Sequence, residues 1–161
     1  ITDYVRLMGS GNMDAFQIES LIESEIETHH MEGHVPAHCI AKLGDALPAF
    51  GIVAAVMGVV HTMESLSLPP TELGILIGHA LVGTFLGILL AYGFIGPLSG
   101  LLEQKLEEST KMYNTVKVTL ISSLNGYAPA IAVEFGRKIL YSTERPGFAE
   151  LETHVKQAKG K

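Results

Sequence analysis

"LPAFGIVAAVMGVVHTM", Leu47 to Met63, decides how the whole chain is read. It holds no Asp, Glu, Lys or Arg, opens next to a proline, and carries Gly51 and Gly58 where helix formers are expected. Such a run is either the core helix of a water-soluble protein or a segment that crosses a bilayer. Length separates the two. At about 1.5 Å per residue, a helix needs roughly 20 mostly apolar residues to cross a hydrocarbon core about 30 Å thick. A second stretch free of those four residue types, Leu73 to Leu102, clears that length, and the first, from Ala46, meets it on extending to Leu66. Two buried helices of a soluble all-α protein do not account for the second run.

The expectation is therefore an all-α, integral membrane helical hairpin. Its turn is "ESLSLPPTE", Glu64 to Glu72, which contains two acids and no base. All 11 Lys and Arg lie outside the hairpin, beginning with Lys42 before it and Lys105, Lys111 and Lys117 after it. By the excess of positive charge on cytoplasmic segments, both ends of the chain are expected in the cytoplasm and the Pro69-Pro70 turn on the far side. Three regions follow: 1–44, an acidic cytoplasmic helical segment; 45–102, two spans with a short periplasmic turn; and 103–161, a cytoplasmic helical extension with C-terminal helices.

Composition agrees with that frame. The 161 residues are 47% hydrophobic, with 17 glycines and no tryptophan, a glycine content ordinary for packed membrane helices. A net charge of −6 argues against nucleic acid as a partner. The single cysteine, Cys39, excludes an intrachain disulfide framework. Because the chain begins at Ile1 with no basic leader, it is expected to be a piece of a longer protein.

In lipid, helices gain nothing by hiding apolar groups from water, so small residues that permit close backbone approach favour association. Gly51, Ala55 and Gly58 share one face of the first span; Gly83, Gly87 and Ala91 recur every fourth residue in the second, and Gly74 and Gly78 lie near its start. These stripes predict tight helix contacts, although such patterns are common in membrane helices generally. Pro48 and Pro97 each lack an N–H and free a carbonyl four residues back, at Gly44 and Gly93. Counted from the turn they fall at similar depth, near the cytoplasmic face, either as functional kinks or as helix-end markers.

No carboxylate lies inside either span, so this chain offers no proton-binding acid at mid-membrane. The polar candidates are Thr84, near the middle of the second span, and His61, Thr62 and His79 toward the outer side. The Thr84 hydroxyl has two uses: bonding water or a partner's carboxylate, or bonding back to its own helix.

The flanks read as helices. In "NMDAFQIESLIESEIETHH", Asp14 caps with Gln17 three residues on, and Ile18, Leu21, Ile22 and Ile26 form an apolar stripe opposite Glu19, Glu23 and Glu27. His30, His34 and His38 are spaced by four beside His29, but Gly33 and Pro36 are expected to break the helix such spacing needs, leaving linker residues and no metal site. After the second span the helical pattern continues to "NGYAP", Pro129 opens another helix, and a last amphipathic segment carries Phe148, Leu151 and Val155 on one side. Arg137, Lys138 and Arg145 form a basic cluster suited to solubility, to the membrane surface or to a protein partner. No phosphate loop, paired carboxylates or nucleophile with a base marks an enzyme, and no cofactor is implied.

"GDALPAFGIVAAVMGVVH", "GHALVGTFLGILLAYGFIGPL" and "NGYAPAIAVEFGRK" together resemble the C-terminal part of the MotA family of flagellar motor stator proteins, of the proton-driven type, within the MotA/TolQ/ExbB superfamily. The resemblance covers essentially the whole chain. It implies the third and fourth spans of a four-span A subunit in the bacterial inner membrane. It further implies a homopentamer around MotB-like B subunits that supply the proton-binding aspartate, surrounding lipid, and torque on the rotor switch protein FliG. The family's two prolines fall on Pro48 and Pro97 and its channel-lining threonine on Thr84. The family's rotor-contacting charges lie upstream of Ile1. The alternative is a proton-driven energiser of outer-membrane processes, of the ExbB or TolQ kind, which lacks "AVEFGRK".

Overall fold

Two prolines and one glycine set the clearest helix limits. Pro70 and Pro129 each stand at a first helical position, where a fixed φ favours the helix and the missing N–H costs nothing. Gly126, at φ 83°, ends the helix before it: Gly126 N–H donates to Ser123 and Tyr127 N–H to Ser122, satisfying carbonyls that the helix end leaves open. The computed structural model describes residues 2–11, 13–64 and 67–159, and every regular element among them is helical. Helix α1 runs Thr2–Ser10, α2 Ala15–Met63, α3 Pro70–Leu90, α4 Gly96–Leu124, α5 Pro129–Ile139 and α6 Phe148–Lys159. A π-helical turn, Ala91–Ile95, carries α3 into α4 with no intervening loop.

Two helices, α2 and the continuous Pro70–Leu124 run, are long and apolar enough to cross a membrane. Only 11% of either apolar window is buried within the chain, which is not how the core helix of a soluble protein behaves. Phe50, Met57, Phe85 and Phe94 each leave more than 60% of their surface open. The extension of the first span to Leu66 lies outside the described residues; α2 itself stops at Met63.

The expected linker at His29–His38 is overturned. Helix α2 runs unbroken through Gly33 and Pro36, so His29–His38 is helix and not linker. A proline inside a helix forfeits one hydrogen bond and costs about 3 kcal/mol. In this 49-residue helix the break is bridged by tertiary packing: Ala37, next to Pro36, is fully buried, and its carbonyl accepts a hydrogen bond from Ser99 Oγ at 3.0 Å. Even on one helix the histidines form no metal-holding group of three or more among the described residues.

The chain divides into two units, 33–105 and 1–32 with 106–161. In the second, Asp14 and Gln17 cap α2 reciprocally, at 2.7 and 3.1 Å. Ile18 and Ile22 are buried, whereas Leu21, expected beside them, stays 43% exposed. Glu23 of the acidic face pairs with Lys117 at 2.7 Å, Tyr4 donates to Glu25, and His29 meets the Tyr113 ring edge-on at 4.8 Å. Helix α5 lies close against α4 because Gly136 has no side chain; a Cβ there would come within 3.4 Å of both Thr115 and Thr119. The expected basic cluster is largely turned inward. Arg137 makes two 2.6 Å bonds to Glu134 and one to the Pro146 carbonyl, and Arg145 ties down the carbonyls of Lys138 and Leu140. Only Lys138 of the three is exposed.

Candidate functional site

Within the unit 33–105, the small residues of α2 meet those of α3 in one antiparallel seam. A Cβ on Gly87 would stand 2.6 Å from the Leu47 carbonyl oxygen, and one on Gly51 2.7 Å from that of Gly83. Further along, a Cβ on Gly58 would stand 2.5 Å from the Ala80 methyl, and one on Gly83 2.9 Å from that of Ala54 and 3.5 Å from the Ala55 nitrogen. No side chain other than hydrogen fits at Gly51, Gly58 or Gly87 without moving backbone. Ala91 is buried where the seam reaches the π turn. A Cβ on Gly74 or Gly78 would meet nothing within 4 Å, so neither is part of the seam.

Close approach places Thr84. Its Oγ1 donates to the Gly51 carbonyl across the seam at 3.4 Å, a long bond to the facing helix and not to its own. Thr62 does bond back to its own helix, to Gly58 at 2.8 Å, and is buried. His61 lies 3.5 Å from Glu64 at the open end. With no Asp, Glu, Lys or Arg from Ala46 to Met63 or from Leu73 to Leu102, the Thr84 hydroxyl and backbone carbonyls are the polar groups near the Gly51 level of this seam.

Beyond the glycines, Gly44 packs on Ile95, with a Cβ there 3.1 Å from Ile95 Cγ2, and Ala37 meets Ser99. These pairs fix the levels of the prolines. Pro48 lies between the levels of Gly87 and Ile95, and Pro97 between those of Gly44 and Ala37. They are staggered by more than a helical turn, not level as counting from the turn suggests.

The sequence reading missed the π turn. Gly96 N–H bonds to the Ala91 carbonyl, five residues back instead of four, so the helix holds one extra residue just before Pro97. Its signal is the run "GFIGP", Gly93 to Pro97, where two glycines and a proline weaken the α-helical pattern together.

Outside this unit, the Arg137 guanidinium, hydrogen-bonded to Glu134, holds that carboxyl below its usual value, helped by the charges of Lys138 and Arg145 and opposed by burial. Arg137 is raised in turn by Glu134.

Residues 4–115 match the MotA/TolQ/ExbB proton channel family. The chain belongs to that family. Among curated relatives of this family member, Motility protein A of Salmonella typhimurium and that of Escherichia coli are each 65% identical over 159 residues, 99% of this chain. The chain spans about half the length of those relatives, 54% of each. Among solved structures, that of the flagellar MotAB stator complex from Bacillus subtilis superposes with a TM-score of 0.78. It covers 98% of this chain and 58% of that one at 24% identity, a likeness of fold.

Proposed function

We propose that this chain is part of the A subunit of a flagellar motor stator, a proton-conducting complex of the bacterial inner membrane that converts the proton gradient into torque. The 65% identity to Motility protein A across 99% of the chain carries that reading. Helices α2 and α3 act as the third and fourth spans of a four-span protein, 1–44 and 103–161 flank them in the cytoplasm, and both ends of the chain are cytoplasmic. The chain is not an enzyme. Its partners are a MotB-like B subunit, further copies in a homopentamer, the rotor protein FliG and membrane lipid.

The seam suits such a task. Since it holds no acid, the partner supplies the carboxylate, and Thr84 stands where a hydroxyl meets it. Neutralising that acid changes its fit against the two spans, and Pro48 and Pro97 let the helices flex in response. A membrane potential supplies about 2.3 kcal/mol per charge per 100 mV, enough to rearrange a packed ring.

Complementation tests the proposal. The natural full-length gene is expected to restore swimming to a strain lacking its stator A subunit and not to restore uptake in a strain lacking an ExbB- or TolQ-type energiser. The reverse outcome replaces the motor reading with the energiser.

A further inference from the structure

Hydroxyls on these helices commonly turn back on their own backbone. Ser24, Thr28, Thr62, Thr115, Thr119 and Thr153 each donate to the carbonyl four residues before. Ser99 does not. Its Oγ donates to the Ala37 carbonyl of α2 at 3.0 Å, across 62 positions of sequence. Ser99 is 6% exposed and Ala37 is fully buried, so the bond is sealed by atoms of the unit 33–105 itself, whatever else packs around them. A carbonyl has two lone pairs, so Ala37 accepts this bond while still serving its own helix.

The place of the bond gives it a further use. Pro36 stands immediately before Ala37, and Pro97 two residues before Ser99. Each proline removes one hydrogen bond from its helix, and the π turn Ala91–Ile95 interrupts the α-helical pattern just ahead of Pro97. Both helices are therefore easiest to bend at the level where Ser99 ties them. The neighbouring contact, Gly44 on Ile95, is apolar and has no preferred direction. A hydrogen bond has one, and it fixes register.

We propose that Ser99 is a positioning residue of the motor. Its bond to Ala37 makes α2 and α4 cross the proline-weakened level as one body. A displacement of the spans is then passed on, and is not lost as bending of one helix against the other. The proposal rests on the stator reading above. Ser99 takes no proton in it and acts through the helix it holds.

Ser99→Ala and Ser99→Thr in the natural full-length protein, assembled with its B subunit, test this in two ways. The first is hydrogen exchange read by mass spectrometry. Ser99→Ala is expected to exchange about fivefold faster over 37–44 and 97–104, the scale of one buried hydrogen bond, with 47–58 and 80–91 unchanged. Unchanged exchange throughout overturns the proposal. Faster exchange throughout, or an alanine variant that does not assemble, also overturns it, because Ser99 then only holds the fold. This measurement does not depend on the stator reading.

The second compares proton flux through the complex detached from the rotor with rotation under load. Ser99→Ala is expected to keep flux within about twofold of wild type while rotation slows about fivefold. Ser99→Thr keeps the hydroxyl and is expected to match wild type in both. Flux and rotation falling together overturn the positioning role. Wild-type rotation in the alanine variant overturns it too, as does a threonine variant as slow as alanine. A wild-type complex that conducts protons and turns no rotor overturns the stator reading and leaves the exchange result standing.

Discussion

Gly51 and Gly87 face each other so closely that a Cβ on Gly87 would lie 3.1 Å from the Gly51 Cα and 2.6 Å from the Leu47 carbonyl oxygen. Both obstacles are backbone, which has no rotamer to change. Gly87→Leu is therefore expected to push α2 and α3 apart at a cost of about 1–3 kcal/mol, with Gly87→Ala milder but of the same sign. Thermal unfolding of the detergent-purified full-length protein measures it. A Gly87→Leu melting temperature equal to wild type would mean that the seam is looser than its geometry.

Thr84 invites a comparison of Thr84→Ser with Thr84→Val. Serine keeps the hydroxyl that reaches Gly51, while valine keeps the shape and removes the polar atom. In the proposed ion path, the valine variant is expected to lose about five- to tenfold in proton flux, the scale of one hydrogen bond, and the serine variant to stay near wild type. Equal flux in all three would remove Thr84 from the path.

Pro97 stands two residues after the end of the π turn and has no N–H to give the Gly93 carbonyl. Pro97→Leu in the full-length protein is expected to leave co-purification with the B subunit intact while abolishing rotation in a swimming assay. A variant that swims normally removes the proline from the coupling.

Glu134 gives a pH signature outside the apolar helices. Arg137 lowers its carboxyl in the folded state, so ionised Glu134 stabilises the fold. That contribution is complete above the ordinary value of 4.5 and is lost as pH falls through the lowered folded value. Glu134→Gln is expected to weaken hydrogen-exchange protection of α5 at neutral pH and to flatten its dependence on acid. Identical acid profiles for the two proteins would contradict the pairing.

Gly136 offers a simpler test of packing. A Cβ there collides with Thr119, whose hydroxyl bonds to the Thr115 carbonyl at 2.8 Å and is not free to turn away without losing it. Gly136→Ala is expected to destabilise α5 by about 1–3 kcal/mol, and Gly136→Ala with Thr119→Ala to recover part of that loss. Denaturant titration of the two variants checks the coupling.

The two long apolar helices, the capping box, the start at Pro129 and the stop at Gly126 were all legible in the chain, because each depends on local residue chemistry: apolar length, a side chain reaching its own backbone, a fixed or a positive φ. Helix continuity through Pro36 was not legible. Local chemistry argues for a break there, and what bridges it is the distant contact of Ala37 with Ser99. The destination of the Thr84 hydroxyl, the stagger of Pro48 and Pro97 and the π turn belong to the same class. Each is set by which residues of a second helix arrive opposite, and a run of amino acids records its own preferences without recording its neighbour's register. The sequence by itself determined which segments are helical and apolar; only the tertiary structure decided how closely they touch and where one of them takes up an extra residue.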